Sequence, residues 1–505
     1  MKKILLVFLA AVMIFSIFAC TKKQSDKPAA TTEPGTTTGG PDATPGTTQP
    51  VTTIDPDKPN LEPKTFKGLE YRVATRDGSI RDEVFADETA VDIRQTALQQ
   101  RNAIVEDTYD VYITPIPFTD NSLNGVSNKL IDYAFAEEDI CDISLTYVGG
   151  TGSLVVGGFV VNWYNLKYND FSKSYWINDV NSNFAFDDAL YTVVGDMCIT
   201  TLLTTYAMFY NRTEGDKIIM EDGSTTMTEE VLEKVGNMEW TMDYFISLVD
   251  DIYTDIDDEV GKSAGDFYGF VAEALTNLDI WQFAFDIPMI ARDDELGLKS
   301  VFNTEKTAIM VDKLNELYWE NKGSSIGNSP TNQFKNGNAI FQTTWLERCF
   351  TIFKEMEDQY TILPYPMYDD KQDGYKAGVM DNYHVITIPN TCVELEMVSY
   401  ITEVLNYHSK EILYPVYYEE SLQKQFTRDP ESIEMLDIIM NGRNFDLATM
   451  FPDNSSGLPF LIRWAVGSKN NDFTTYYSKH EEAINKGLKD IVERYEINKS
   501  NGENS

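Results

Sequence analysis

Between Gly68 and Gly150 the chain alternates between segments of strand character and segments of helix character. Three β-rich apolar runs read LEYRVAT, DVYITPI and CDISLTY, and the stretches between them carry apolar residues at helical spacing. This order is typical of βαβ units, in which right-handed helical crossovers join parallel strands. Ligands bind such sheets at the carboxyl ends of the strands, so the loop at Tyr147, after the third run, is the first candidate for a binding site.

The first twenty residues predict an export signal. Two lysines precede an apolar run from Ile4 to Phe15, which is too short to span a membrane, and the segment ends at Cys20. The pattern resembles a bacterial lipoprotein signal, which is cut before the cysteine that receives the lipid. The resemblance implies a signal peptide over residues 1–19, a lipid on Cys20 and anchoring to the outer face of the cell membrane. An ordinary signal peptide is the alternative.

Residues 21–60 are rich in Thr, Pro and Gly and carry almost no large apolar side chain. Such a segment cannot bury enough surface to offset the entropy lost on ordering it, so we expect residues 20–60 to form a disordered tether. The folded part is expected over residues 61–495, with residues 496–505 as a disordered tail.

The composition excludes several partners. A formal net charge of −39 repels phosphate backbones, which argues against nucleic acid. The cysteines after Cys20 form no CxxC pair, and no histidine lies at zinc-ligand spacing from a cysteine, so we expect no metal and no cofactor. Whether these cysteines are free or bridged stays open.

Five segments resemble, in the same order, segments of the extracellular solute-binding proteins of ABC importers, the class that includes maltose-binding protein. The five segments are Asp196 to Asn211, Glu239 to Phe245, Phe334 to Trp345, Gln359 to Pro366 and Tyr418 to Ile439. Each alone is a common type of junction, whereas five in the correct order are specific. The correspondence runs from about Gly68 to Tyr495.

The resemblance implies a type II periplasmic-binding-protein-like fold, an α/β architecture with two lobes, each a mainly parallel sheet flanked by helices. By the family's layout the first lobe takes residues 61–204 and 360–414, and the second lobe takes residues 205–359 and 415–495. Two or three crossing segments join them. Closure of the lobes about these crossings traps a ligand in the cleft.

Trp345 ends an apolar strand and is followed by Glu347 and Arg348. Saccharides present an apolar ring face and a rim of hydroxyls, so their sites combine aromatic platforms with carboxylate, amide and guanidinium groups. A lone tryptophan is more often part of the core. The position after the strand and the family resemblance favour a place in the cleft for Trp345, with Glu347 and Arg348 beside it.

Other polar residues lie where the two lobes are expected to meet. Asp381, Asn382 and Tyr383 directly precede a strand of the first lobe and suit hydroxyl recognition, with a local turn as the alternative. Asp196 and Tyr206 border the first crossing, where Asp196 alternatively caps local backbone.

Three further tryptophans are candidate platforms. Trp464 resembles the family's aromatic residue near the last ligand-facing helix, and Trp176 lies in loop-like sequence near the end of the first lobe. Trp281 lies among apolar neighbours, so core packing is its main alternative.

Catalytic signatures such as HExxH, a phosphate-binding loop or a Rossmann glycine motif are absent from the sequence. We therefore predict a monomeric, non-enzymatic lipoprotein that captures a small solute, a mono- or oligosaccharide, and delivers it to the transmembrane subunits of an ABC permease. Related proteins also take peptides, polyamines or metals. The alternatives are an exported carbohydrate-active enzyme, which requires two carboxylates across one cleft, and a surface glycan-binding lipoprotein without a transporter.

Overall fold

The computed structural model describes residues 57–79, 83–86, 92–186, 188–256, 260–295, 297–426 and 430–502. The predicted signal peptide, Cys20 and the predicted tether up to residue 56 lie outside these ranges. The cysteines of the described part, Cys141, Cys198, Cys349 and Cys392, are buried and unbridged. Among the described residues, no helix is both long and apolar enough to span a bilayer.

The predicted βαβ units form the first sheet. The elements are β1 (Leu69–Arg76), α1 (Ile93–Tyr109), β2 (Val111–Phe118), α2 (Gly125–Phe135), β3 (Ile143–Tyr147) and α3 (Val148–Gly157). β1 pairs in parallel with both β2 and β3, which confirms the predicted pairing. Helix α1 begins where the Asp92 carboxylate accepts the amide of Arg94, and it ends at Asp110 in the left-handed conformation.

The second sheet follows two short helices, α4 (Asn178–Phe184) and α5 (Thr200–Leu203). Its strands are β4 (Tyr206–Asn211), β5 (Tyr253–Thr254), β6 (Phe267–Ala272), β9 (Ser324–Ile326), β10 (Ala339–Trp345) and β11 (Tyr360–Leu363). Their order is β11-β4-β10-β6-β5, with β9 also on β6, and pairing is mixed, because β4 runs antiparallel to both β10 and β11. Every residue of β4 is buried, as expected for a strand covered on both faces.

Helices cover this sheet and fill the connections. They are α6 (Arg212–Gly215), α7 (Met227–Gly236), α8 (Met242–Asp250), α9 (Leu278–Ala284), α10 (Glu305–Asn315), α11 (Pro330–Lys335) and α12 (Glu347–Thr351). A hairpin of β7 (Ile290–Asp293) and β8 (Gly297–Ser300) lies between α9 and α10. The Thr241 hydroxyl accepts the amide of Tyr244 and so caps the start of α8.

The remaining elements are β12 (Ala377–Gly378), β13 (His384–Thr387), α13 (Leu395–His408), α14 (Pro430–Asn441), β14 (Arg443–Asn444), α15 (Leu461–Gly467), α16 (Phe473–Ser478) and α17 (Glu481–Gly502). Short 3-10 or π-helical segments span Asp77–Ser79, Trp163–Asn165, Glu316–Glu320, Phe353–Glu355, Ser409–Leu413, Val416–Phe426, Leu447–Met450 and Leu458–Phe460. β13 joins the first sheet antiparallel to β3, so that this sheet has the order β13-β3-β1-β2.

The layout departs from the expected lobes in three places. Strand β11 was expected in the first lobe. It pairs instead with β4 of the second sheet, over four consecutive residue pairs. The segment Leu447–Met450 and helix α17, both expected in the second lobe, pack against α3 beside the first sheet. The chain therefore passes between the two sheets more often than the family layout implies.

The predicted disordered tail is wrong for residues 496–502, which continue helix α17. The Asn498 amide donates to the Val155 carbonyl at 2.7 Å, and Lys499 pairs with Asp188 at 2.9 Å. These contacts hold the last helical turns against the body. Residues 503–505 lie outside the described ranges.

Trp281→Ala should lower the free energy of unfolding by about 3–5 kcal/mol, the usual effect of truncating a fully buried aromatic side chain. Trp281 has no exposed surface, its indole N–H donates to the Tyr318 hydroxyl at 3.2 Å, and its ring lies 4.8 Å from that of Tyr365. Urea denaturation measures the change. Trp464→Ala, which removes a side chain that is 39% exposed, is the control and should lose about 1 kcal/mol or less. Equal losses would contradict the core assignment of Trp281.

Candidate functional site

The crossing segments meet in a small hydrogen-bonded junction. Thr205, the residue before β4, forms an antiparallel bridge with Val379. The amide of Met380 donates to the Thr204 carbonyl at 3.2 Å, and the amide of Leu346 donates to the Thr205 carbonyl at 2.9 Å. This junction places the end of β10 directly beside two crossings.

Trp345, Glu347 and Arg348 form one cluster at the junction. Trp345 is half-buried, and its indole N–H donates to Glu347 Oε2 at 2.9 Å. The Arg348 guanidinium lies 4.4 Å from the centre of the indole ring, in a cation–π contact, and its buried Nε has no partner among the described residues. The predicted trio is therefore brought together, with Arg348 covering part of the tryptophan.

Tyr206 connects this cluster to a pocket between the sheets. Its ring meets that of Trp345 edge to face at 5.6 Å, and its hydroxyl donates to Asn277 Oδ1 at 3.3 Å and contacts Met380 Sδ at 3.5 Å. Tyr206 itself is fully buried. It is thus a supporting residue below the predicted platform and offers a ligand no surface of its own.

The pocket, which we call the hinge pocket, is lined by α9 and Thr276 before it, by residues 379–381, which we call the second crossing, by Thr449 and by residues 459–463 at the start of α15. The lining residues are Thr276, Asp279, Ile280, Gln282, Phe283, Val379, Met380, Asp381, Thr449, Pro459, Phe460 and Arg463. Its cavity volume is about 20 Å³. That is room for roughly one water molecule, so the two walls are closed onto each other.

A buried ion pair dominates the electrostatics of the hinge pocket. The Arg463 guanidinium pairs with Asp279 Oδ2 and lies 4.6 Å from the ring centre of Phe460. Burial raises the pKa of Asp279 to about 8, an effect that the charge of Arg463 opposes and the charge of Asp381 reinforces. Burial also raises the pKa of Asp381, again against the effect of Arg463.

Polar atoms of the pocket wall lack partners. Asp279 Oδ1, Gln282 Oε1 and Arg463 Nε are buried and accept or donate no hydrogen bond within the described part of the chain. Asn382 Oδ1, on the residue after Asp381, is also buried and has no hydrogen-bond partner in the described part of the chain. More than about nine in ten buried polar groups in proteins have a partner, so a concentration of unpartnered atoms marks this pocket as the place where a polar ligand is expected.

Tyr147, at the end of β3, is the candidate residue that the first sheet contributes, and it does not line the hinge pocket. Its ring stacks on that of His384 at 5.2 Å, and the guanidinium of Arg76 lies 4.0 Å from its centre. The next residues start helix α3 instead of the predicted loop, and the amide of Gly149 donates to the Asp381 carbonyl at 3.0 Å. A Cβ at Gly149 would lie 3.2 Å from that carbonyl oxygen, so the close approach favours glycine.

A buried hydrogen-bonded network next to Tyr147 was not predicted from the sequence. His384 contacts Glu83 through Nδ1, both side chains have no exposed surface, and Glu83 Oε1 accepts the amide and the hydroxyl of Thr200 at 2.9 and 2.8 Å. Only a charged residue in a buried segment could have signalled it. The same signal was present for Asp279 within LDIWQFA and for Arg463 within PFLIRWAV.

Three of the predicted aromatic ligand contacts are core residues. Trp281 and Tyr383 are almost wholly buried, and Tyr383 packs edge to face on Phe445. Trp176 is also buried, and its indole N–H donates to the carboxylate of Glu403 at 3.1 Å. Their aromatic neighbours take up the surfaces that a ligand would need, so we exclude them from the site.

Asp196 and Trp464 lie outside the hinge pocket. Asp196 is half-buried, and burial raises its pKa to about 7 against the charges of Arg443 and Lys410. Trp464 is the neighbour of Arg463 on α15, packs near Phe460 at 6.1 Å and is 39% exposed. It therefore occupies the outer rim of the site.

No protein-family model matches the chain, and no curated protein matches it in sequence. Solved structures do match its fold. A galacto-N-biose/lacto-N-biose I-binding protein of an ABC transporter from Bifidobacterium longum, in complex with lacto-N-biose, has a TM-score of 0.55 at 11% identity, covering 85% of this chain and 99% of the other. An ABC substrate-binding protein from Listeria monocytogenes in complex with cycloalternan has a TM-score of 0.53 at 13% identity, covering 84% and 98%.

A third match is UgpB from Mycobacterium tuberculosis in complex with glycerophosphocholine, with a TM-score of 0.52 at 12% identity and coverage of 84% and 98%. The chain has the two-lobed fold of ABC solute-binding proteins. This confirms the predicted fold class.

The free energy of unfolding of Asp279→Asn, relative to that of the unchanged chain, should increase as the pH rises from about 4 to about 8. The pKa of Asp279 is about 8 in the folded protein and about 3.9 when unfolded. Across this window the folded state holds a proton that the unfolded state has lost, so stability falls as the pH rises, by up to about 1.4 kcal/mol per pH unit. Asparagine does not titrate and removes this loss.

Urea denaturation at several pH values measures the difference between the two proteins. Asp286→Asn, which removes an aspartate from an exposed position just beyond α9, is the matched control for the loss of a carboxyl group. A constant difference for Asp279→Asn between about pH 4 and pH 8 would contradict the assignment of a buried, proton-holding carboxyl.

Proposed function

We propose that this chain is the extracytoplasmic solute-binding component of an ABC import system and that it captures a saccharide between its two lobes. The observation that carries the proposal is the hinge pocket, a closed interlobe site whose wall holds unpartnered carboxylate, amide and guanidinium atoms. Hydroxyl groups both donate and accept hydrogen bonds, so they would satisfy all three kinds of atom. Two of the matched structures of this fold hold saccharides.

Binding requires the lobes to separate and close again. The cavity volume of about 20 Å³ is far smaller than a sugar ring, so a saccharide can enter only when α9 and α15 move away from the crossing at Asp381. Rotation about the junction at Thr205 and Val379 would provide that motion. On closure the ring would lie near Trp345 and Phe460, with its hydroxyls directed to Asp279, Gln282 and Arg463. The permease would then recognise the closed form.

The same proposal includes the predicted anchor. A lipid on Cys20 and a tether of about forty residues would hold the binding protein at the outer face of the membrane, as a monomer, within reach of the transmembrane subunits of the permease. Removal of residues 1–19 and attachment of the lipid are both measurable by mass spectrometry of the membrane-bound protein.

We further propose that the protein performs no catalysis. Arg463 contacts Oδ2 of Asp279, so one oxygen of one of the two carboxyl groups of the hinge pocket is already taken by a protein side chain. The matched structures of this fold are described as binding proteins. Incubation with a bound saccharide, followed by chromatography, should return the saccharide unchanged; accumulation of hydrolysis products would show that the enzyme alternative is correct.

Trp345→Ala should weaken saccharide binding by roughly thirtyfold or more, the effect of removing a tryptophan that contributes about 2 kcal/mol or more to binding. Titration calorimetry with a saccharide found in a thermal-shift screen measures the affinity. Trp319→Ala is a matched control, because Trp319 is also half-buried and also has a cation over its ring, Lys469 at 4.8 Å.

Both variants should lose similar stability, and only Trp345→Ala should lose affinity. Unchanged affinity in Trp345→Ala would place the ligand elsewhere. A much larger loss of stability than in Trp319→Ala would show that Trp345 is a core residue.

A further inference from the structure

We infer that the captured solute is an amino sugar whose protonated amine enters the hinge pocket beside Asp279 and Asp381. The inference rests on the proposed function, because it names the class of saccharide that the same site selects. It depends on the charge balance of the pocket, on which of its polar atoms lack partners and on its size.

The charged side chains that line the hinge pocket are two carboxylates, Asp279 and Asp381, and one guanidinium, Arg463. If all three were ionised, one negative charge would be left without a counter-charge, and a buried charge without a partner is strongly unfavourable. The pocket meets this by holding a proton on Asp279, whose pKa burial raises to about 8. A cationic group on the ligand would take the place of that proton, whereas a neutral saccharide would leave it bound.

Two of the unpartnered atoms in the wall can serve as acceptors. Asp279 Oδ1 has no partner and becomes an acceptor once the carboxyl loses its proton, while Oδ2 of the same group contacts Arg463. Gln282 Oε1 also lacks a donor, and its orientation is fixed because Gln282 Nε2 donates to the Pro459 carbonyl at 3.4 Å. An ammonium group brings three donors and no acceptor, so one such group has enough N–H bonds to donate to both of these oxygens.

The wall also contains one unpartnered donor, Arg463 Nε. An ammonium cannot satisfy it, but a neighbouring hydroxyl or ring oxygen can accept its hydrogen bond. The combination of two free acceptors, one free donor and a carboxyl whose proton a cation can replace therefore fits an amine next to a hydroxyl. This arrangement occurs in amino sugars.

The other titratable groups near the two carboxylates are the hydroxyls of Tyr206 and Tyr318. Burial raises the pKa values of both tyrosines, so both are neutral and supply no counter-charge. The cavity volume of about 20 Å³ has room for roughly one small group in the closed form. An acetamido group carries no positive charge and offers a single donor, so N-acetylated sugars should bind more weakly than the free amines.

Titration calorimetry at about pH 6.5 with matched sugars tests the inference. The probes are glucosamine, glucose and N-acetylglucosamine, the three corresponding galactose derivatives, and the glucosamine disaccharide with cellobiose and N,N′-diacetylchitobiose. The best amino sugar should bind at least about tenfold more tightly than its neutral and N-acetylated counterparts, as expected for a hydrogen bond between charged groups.

Buffers of different ionisation enthalpy add a readout that needs no variant. Because burial holds a proton on Asp279 at this pH, an ammonium that stabilises the carboxylate should release protons on binding, and a neutral sugar should not. Asp381→Asn should bring the affinity ratio of amino to neutral sugar close to one. Asp286→Asn removes the same charge from an exposed position and should leave the ratio unchanged.

Each other outcome has a defined meaning. If neutral sugars bind as tightly as their amino counterparts, or if amino sugars bind without release of protons, the amine inference is wrong while the saccharide function stands. If no saccharide of any kind binds, both are wrong. If amines without a sugar ring, such as spermidine, bind more tightly than every amino sugar, the assignment to saccharides is overturned.

Discussion

The junction of the crossing segments is the interaction on which the rest of the structure depends. A bridge between Thr205 and Val379, extended by backbone hydrogen bonds from Met380 and Leu346, ties the start of β4, the end of β10 and the second crossing together. These bonds connect the two sheets through backbone atoms, so they do not depend on which side chains surround them. They also deliver residues from distant parts of the sequence to one place. The site is a consequence of this junction.

The chemistry of the site follows from burying charge at the junction. Closed walls exclude water, and this desolvation raises the pKa of Asp279 by more than the charge of Arg463 lowers it. The same exclusion leaves Gln282 Oε1 and Asp279 Oδ1 without partners. In the closed form, these polar atoms therefore find no hydrogen-bond partner among the described side chains. A ligand that supplies the missing contacts gains affinity from the groups that are poorly satisfied without it.

Local patterns in the sequence predicted the strands and helices of the first βαβ units and the end of β10, because apolar spacing acts within a few residues. The assignment of β11 to the wrong sheet has a different origin, because the choice of neighbouring strand is made by packing across the whole lobe. Trp281 and Trp464 lie in similarly apolar sequence, yet one is buried and the other 39% exposed. The two differ because Trp281 lies on a face of α9 that is packed in the core, whereas Trp464 lies on a face of α15 that is partly open to solvent.

The ion pair at the centre of the site could not be found by spacing. Asp279 and Arg463 are 184 positions apart, and no local motif links them. What the sequence did contain was one charged residue in each of two apolar helices. Such a residue needs a buried partner, and the fold determines which partner it finds. A search for lone charges in apolar helices would have identified both members, although not their pairing.

The central claim is that the two lobes close around a solute. Spin labels at Ser122→Cys and Ser468→Cys report on it directly, since these exposed positions lie in the first lobe and on the helical wall of the second. The native thiols of the described part are buried, and Cys20→Ser removes the remaining one. Double electron–electron resonance should give longer distances without solute and a single shorter distance with saturating amino sugar. A distance distribution that is the same with and without a bound solute would contradict the account.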